Sequence, residues 1–351
     1  MTGNWWEYLA VFAASAVTST LLTPVALMVA TRAGILDNPG GHKSHDSPVP
    51  YLGGVAIVVA FAGVVVGAAV LKPPITGLDE LVTVLLLGIV LAFVGLADDL
   101  WNLAPVVRVV VEIVFALQLW RMETGVHLTG SPAIDIALTV MWVVGITNAF
   151  NLLDNMDGLA AGQAAICAST VFAVAVANGQ VLVGALSIAL IGCAVGFLRH
   201  NFYPAKIYMG DGGALFLGFM VAYLGLKLQF ESSVSESFLV PVVACAIPVL
   251  DTSLVTFSRL STGRSPFRGG QDHISHRLVH VGLPIPVAVG LTYVSAAALG
   301  VVSFVVSRVD PASAWILSGL VAGLLVLAGI LLSLIPVYPE SMRKHYFFSE
   351  R

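Results

Sequence analysis

The stretch Leu81–Asn102, LVTVLLLGIVLAFVGLADDLWN, decides the fold. From Leu81 to Ala97 it holds no charged residue, and polar and apolar positions do not alternate. A lipid-facing barrel strand would need a polar residue at every second position, so this run reads as a helix. At 1.5 Å per residue it reaches most of the way across a hydrocarbon core of about 30 Å. It ends on two adjacent carboxylates, Asp98 and Asp99, at the point where the helix leaves the bilayer. Two anions side by side repel unless a cation joins them. One aspartate there is an ordinary end-of-helix residue; a pair at a helix C-terminus, the wrong end of the helix dipole, points to function.

The rest of the chain repeats the pattern. Of 351 residues 58% are hydrophobic and 10% charged, against roughly 25% charged in soluble proteins, and the mean hydropathy is +0.95. These values exclude a soluble enzyme, a disordered chain and a coiled coil. Cys167, Cys193 and Cys245 lie in apolar stretches without metal-like spacing and are expected to pack. No removable signal peptide is expected, and Trp5 and Trp6 read as interfacial anchors.

Eleven apolar runs are long enough to span: about 5–31, 52–71, 80–97, 103–122, 133–152, 158–178, 181–198, 212–230, 237–260, 285–307 and 313–337. The expected fold is an all-α, polytopic membrane bundle with its N-terminus outside and its C-terminus cytoplasmic. Twelve of the sixteen Lys and Arg residues fall on the side of the odd-numbered loops, which the positive-inside rule makes cytoplasmic. The polar residues are divided as unevenly. Loops at 32–54, 98–103, 148–158, 199–213 and 259–284 carry nearly all the candidate chemistry, and one cytoplasmic site within a single domain, 1–351, is expected from them.

In NAFNLLDNMDG (148–158), Asn148, Asn151, Asp154 and Asn155 recur at helical steps, with Asp157 following. Lipid would penalise that stripe, so it faces protein or water. In YMGDGG (208–213), Asp211 opens the eighth span between glycines. It could simply cap the helix, but capping does not call for Gly210, Gly212 and Gly213, which would let a bulky group approach the backbone, and a helix N-terminus suits phosphate. Five aspartates without thiolates fit Mg2+ or Mn2+ better than zinc, and Mg2+ implies a phosphorylated substrate. Cationic partners come from Lys43 and His45 in one loop and from His273, His276 and Arg277 in another, whereas Arg264 and Arg268 read as the positive-inside signal. Glu112 lies four residues from Arg108 and is expected to pair with it; Asp251 could support the loop that begins at Arg259.

With these clusters in this order, residues Asn38–Leu278 resemble the polyprenyl-phosphate N-acetylhexosamine-1-phosphate transferases. Lys43 and His45 match the family's R-K-x-H-x-x-P loop, with His42 in place of Arg. Asp98 and Asp99 match its aspartate pair, and Asn148, Asn151, Asp154, Asp157 and Gly158 match N-x-x-N-x-x-D-G-x-D-G, with Asn155 in place of the first Gly. Asn201 and Tyr208 precede Gly210, Asp211 and Ala214, where Ala replaces the Ser of G-D-x-G-S-L; His273 and His276 end the histidine motif, with Ser275 in place of its middle His.

The resemblance implies transfer of a sugar-1-phosphate from a UDP-N-acetylhexosamine, preferably GlcNAc, to a polyprenyl phosphate, with release of UMP, at the plasma membrane as the first lipid-linked step of an envelope polysaccharide. It implies Mg2+ on Asp157 and Asp211; catalytic roles for Asp98, Asp99, Asp154 and His273; and substrate contacts from Lys43, His45, Asn148, Asn151, Asn201, Tyr208, His276 and Arg277, with Tyr208 stacking on uracil. No nucleic acid is expected as a partner, and a homodimer is compatible. Transfer of phospho-MurNAc-pentapeptide is the alternative within the family. A secondary transporter is the alternative outside it, disfavoured because the acidic residues gather at one face rather than at mid-membrane.

Overall fold

The computed structural model describes residues 3–37, 48–74, 77–230, 234–266 and 269–337. Among them are thirteen helices and one short hairpin: α1 (Trp5–Ala33), β1 (Leu36–Asp37), β2 (Val49–Pro50), α2 (Gly53–Leu71), α3 (Leu78–Trp101), α4 (Pro105–Arg121), α5 (Pro132–Leu153), α6 (Leu159–Ala177), α7 (Val181–Asn201), α8 (Gly210–Lys227), α9 (Val234–Ala244), α10 (Ala246–Ser261), α11 (Ile274–His280), α12 (Ile285–Val306) and α13 (Pro311–Ser333). Proline opens α4, α5 and α13, where its missing N–H costs nothing. Asp310 caps α13 by accepting from the amides of Ala312 and Ser313, both at 3.1 Å.

The bundle is arranged around α8, in which every residue from Gly212 to Leu226 is buried. A helix apolar on all sides belongs at the centre, and α2, α3, α5 and α6 pack round it. At the periphery α13 buries only Ala314 and Val321 and leaves Ile316, Leu320, Leu324 and Leu331 exposed. Exposing such a face to water would be costly, while hydrocarbon accommodates it. The chain is a multi-pass membrane protein.

Fewer helices than the eleven expected spans reach a crossing length and apolarity on their own. Eight helices (α1, α2, α3, α5, α6, α7, α12 and α13) are long and apolar enough to cross, and α9 with α10, bent by 66°, makes a ninth if taken as one span. The fourth and eighth apolar runs do form helices, but α4 has 17 residues, about 26 Å, and α8 has polar ends at Asp211 and Lys227.

Glycines set the closest approaches. A Cβ on Gly54 of α2 would stand 2.3 Å from the backbone nitrogen of Gly213, and one on Gly95 of α3 would stand 2.6 Å from that of Gly212. The first turn of α8 is therefore wedged between two helix backbones. The glycines around Asp211 serve this packing, not the open approach of a bulky ligand that the sequence suggests.

Candidate active site

Arg108 of α4 organises the aspartates. Its Nη1 lies 2.6 Å from Oδ2 of Asp98 and 2.6 Å from Oδ2 of Asp211, so carboxylates from α3 and α8 meet at one cationic atom. Asn151 at the end of α5 donates to the other oxygen of Asp211 at 2.8 Å. The N-cap of α8 is Met209, and Asp211 lies inside the first turn. Arg108 does not pair with Glu112 in the expected way: Glu112 is buried and accepts instead from Asn148.

Asp99 serves α8. Its carboxylate accepts from the amides of Asp211 at 3.1 Å and Gly212 at 3.4 Å, two of the N–H groups that a helix start leaves unpaired. The position that would suit phosphate is thus held by a carboxylate from α3. Tyr51 donates its hydroxyl to the carbonyl of Asp99 at 3.3 Å. The amide of Tyr208 donates to Pro50 at 2.8 Å, and the amide of Gly53 donates back to Tyr208 at 3.0 Å. The β1–β2 hairpin and the approach to α8 are joined there. The half-buried Tyr208 phenol is pushed up, by burial first and then by the negative charges of Asp157, Asp37 and Asp154.

Asp154 and Asp157 lie in the turn between α5 and α6. The Asp154 carboxyl is pushed up to about 8, by burial first and then by the anionic Asp211, Asp99 and Asp157. Asp157 accepts from the amide of Ala205 at 2.8 Å. Asn201 bridges the two segments, accepting from the Gly158 amide at 3.1 Å and donating to the Ile207 carbonyl at 2.9 Å.

A third layer comes from α10 and α11. His273, buried at the start of α11, holds Nδ1 2.7 Å from Oδ2 of Asp251, whose Oδ1 accepts from the Ile274 amide at 2.6 Å. Arg259 forks onto both oxygens of Asp272 at 2.9 and 2.8 Å. His276 is pushed down to about 4, chiefly by burial and secondly by His273, so at neutral pH it is uncharged. The structure turns Arg277, expected to contact substrate, inward: its guanidinium donates to the carbonyls of Asp272, Leu332 and Ile335 and to the Ser258 hydroxyl. In this position it ties α11 to the end of α13. Ser275 donates to Asn155 at 2.8 Å, which links this layer to the aspartate turn.

The loops at 98–103, 148–158, 199–213 and 259–284 therefore meet at one end of the bundle. Lys43 and His45 lie outside the described residues, as do His42 and Arg268. Sequence spacing pairs Arg108 with Glu112 and gives Asp251 only a supporting place beside the Arg259 loop, so neither stands out as a site organiser; an arginine one turn into a helix that follows an aspartate pair is the usable signal.

Among the described residues no three His, Cys, Asp or Glu side chains converge on a metal position. The donor set nevertheless suits a hard cation. Nη1 of Arg108 already marks a point shared by two carboxylate oxygens, and Mg2+ commonly uses one or two carboxylates and completes its shell with water and phosphate. The two carboxylates that share this point are those of Asp98 and Asp211, while Asp157 accepts from the Ala205 amide.

Residues 81–229 match the family described as Glycosyl transferase family 4. The chain is 33% identical over 291 residues to a Bacillus subtilis (strain 168) protein named "Probable undecaprenyl-phosphate N-acetylglucosaminyl 1-phosphate transferase", covering 80% of each. It is 31% identical over 301 residues to the decaprenyl-phosphate N-acetylglucosaminephosphotransferase of Mycobacterium tuberculosis (strain ATCC 25618 / H37Rv), covering 76% of this chain and 74% of that one. To the protein of the same name in Mycolicibacterium smegmatis it is 30% identical over 346 residues, covering 88% and 84%. With Asp98 and Asp211 meeting at one guanidinium, Asn151 and Asp99 bonded to Asp211, and this similarity running through most of its length, the chain belongs to glycosyl transferase family 4, among the polyprenyl-phosphate sugar-1-phosphate transferases.

Proposed function

We propose that the protein transfers N-acetylglucosamine-1-phosphate from UDP-N-acetylglucosamine to a polyprenyl phosphate, as the names of its relatives state for them. An oxygen of the lipid phosphate attacks the sugar-bearing β-phosphorus, the bond from that phosphorus to the bridging oxygen breaks, and UMP leaves. The single observation that carries this reading is the convergence of Asp98 and Asp211 on one cationic point.

A divalent cation, Mg2+ or Mn2+, held by Asp98 and Asp211 would offset the charge of the phosphates. Asn151 orients Asp211, and Asp99 fixes the backbone that carries it. Arg108, once released from the two carboxylates, is a cation available to the diphosphate. Asp154 holds a proton near neutral pH and is suited to exchange it with the lipid phosphate. His273, oriented by Asp251, is a phosphate-binding group, and the Tyr208 ring is the platform for uracil. The twelve-to-four division of cations supports eleven spans with this site on the cytoplasmic face of the plasma membrane, and a cell-envelope polymer as the destination of the product.

The test is transfer of label from UDP-[3H]GlcNAc to an organic-extractable lipid in membranes containing polyprenyl phosphate, with Mg2+ or with EDTA. Label in the lipid that EDTA abolishes and Mg2+ restores is expected. No transfer from UDP-GlcNAc but transfer from UDP-MurNAc-pentapeptide would replace the sugar, and no transfer from any UDP-sugar would overturn the reading.

A further inference from the structure

One cavity in the molecule lies away from the aspartates. It has a volume of about 660 Å3 and lies between the far ends of α2, α3, α7 and α8, with Lys72, Glu80 and Lys227 at its polar rim and Val65, Ala69 and Leu186 among its apolar walls. Along α3, Glu80 is about 27 Å from Asp98, so the cavity opens at the end of the bundle opposite the candidate active site.

Its polar groups are built in layers. Glu80 accepts from the hydroxyls of Thr124 at 2.9 Å and Tyr223 at 3.1 Å, and from Lys227 at 2.8 Å. Glu7, 4% exposed and outside the cavity lining, takes the ammonium of Lys72. The carboxylates sit behind and the ammonium groups in front: the side chain of Lys72 is 46% exposed and that of Lys227 23%, against 15% for Glu80. What the cavity offers a ligand is hydrogen-bond donors of fixed position, which call for an anionic acceptor. Lys72 also lies 4.7 Å over the ring of Trp6, and Trp5 and Trp6 are exposed. Tryptophans so placed mark the depth of lipid headgroups.

An apolar chamber with an ammonium rim at headgroup depth is matched by one kind of molecule. We propose that this cavity is a binding site for a membrane glycerophospholipid, its phosphate taken by Lys72 and Lys227 and the upper part of an acyl chain lying along Val65, Ala69 and Leu186. Such a lipid fills a void that would otherwise weaken the packing of α2 against α7.

Purified protein, stripped of loosely held lipid by prolonged detergent washing, is titrated with phosphatidylglycerol, with diacylglycerol of the same chains, and with inorganic phosphate; retained ligand is counted by native mass spectrometry. One phosphatidylglycerol per chain is expected to persist, with diacylglycerol held at least about tenfold more weakly and no phosphate adduct. Ala69→Phe with Ala185→Phe, which fills the chamber, should abolish the retained lipid, and Lys72→Gln should weaken it about tenfold. Equal retention by the filled variant, or diacylglycerol bound as tightly as phosphatidylglycerol, overturns the proposal. If the filled variant does not elute as a single species, Lys72→Gln decides: unchanged retention overturns the site. The readout is lipid mass and does not depend on the transfer reaction.

Discussion

The hydroxyl of Ser275 donates a 2.8 Å hydrogen bond to Oδ1 of Asn155, joining two positions 120 residues apart in sequence at which this chain carries Asn and Ser where the family pattern has Gly and His. The two departures touch, so each is the other's environment. Asn155→Gly and Ser275→Ala, made singly and together, should be non-additive in kcat/KM by about 1 kcal/mol, roughly fivefold. Strict additivity in the transfer assay would mean that the bond does nothing for the reaction.

Asp211→Asn keeps the shape of the side chain and its contact with Asn151 while removing the charge that meets Arg108. Transfer should fall by about a hundredfold or more, with unchanged elution on size exclusion. Retained activity would reduce Asp211 to a structural residue of the first turn of α8.

Arg108 occupies the point where a divalent cation would find two carboxylate oxygens, so metal and guanidinium compete for it. In Arg108→Gln nothing has to be displaced, and Mg2+ should raise the apparent Tm by more than in the unaltered protein, by mass action on the folded state. An equal Mg2+ shift in both proteins would separate the metal from the Asp98–Asp211 pair.

Burial and anionic neighbours lift Asp154 from 3.8 to about 8, so between those values the folded protein binds more protons at this position than the unfolded chain. The contribution is full below 3.8 and is lost as pH rises through about 8. In EDTA, thermal stability should decline from pH 6 to pH 9, and Asp154→Asn should flatten the decline. A decline of the same slope in the variant would assign the effect to another group.

A side chain on Gly54 meets the backbone of Gly213 at 2.3 Å, whereas one on Gly67, also on α2, meets nothing within 4 Å. Gly54→Ala should lower the yield of folded protein through a clash of about 1–3 kcal/mol or more, and Gly67→Ala should be silent. Comparable yields from membrane extraction would show that α2 can shift away from α8.

Much of the fold was legible because each helix announces itself through an uninterrupted apolar run, and the site because its carboxylates stand out against so apolar a chain. What the sequence hid was interaction at long range. Arg108 stands one turn from Glu112, and local spacing pairs them; only the packing of α4 beside α3 and α8 carries the guanidinium to Asp98 and Asp211. Arg277 reads as a basic loop residue until the end of α13 supplies the carbonyls that hold it. The 237–260 run reads as one span, yet it breaks at Cys245. Pro248 carries the missed signal: it has no N–H to offer the carbonyl of Ala244, and the break at Cys245 leaves it in the first turn of α10, where none is needed. The glycines near Asp211 suggested room for a ligand because nothing in the sequence said that Gly54 and Gly95 would fill it.

The helices α3 and α8 are fastened to each other at both ends, by Asp99 on the first amides of α8 and by Glu80 on Lys227 at its last turn. Sliding one helix past the other by a single turn, about 5.4 Å, would break both fastenings at once and drive Gly95 out of register with Gly212. The two therefore behave as one strut across the membrane, with a fixed distance between the aspartates at one end and the lysine rim at the other.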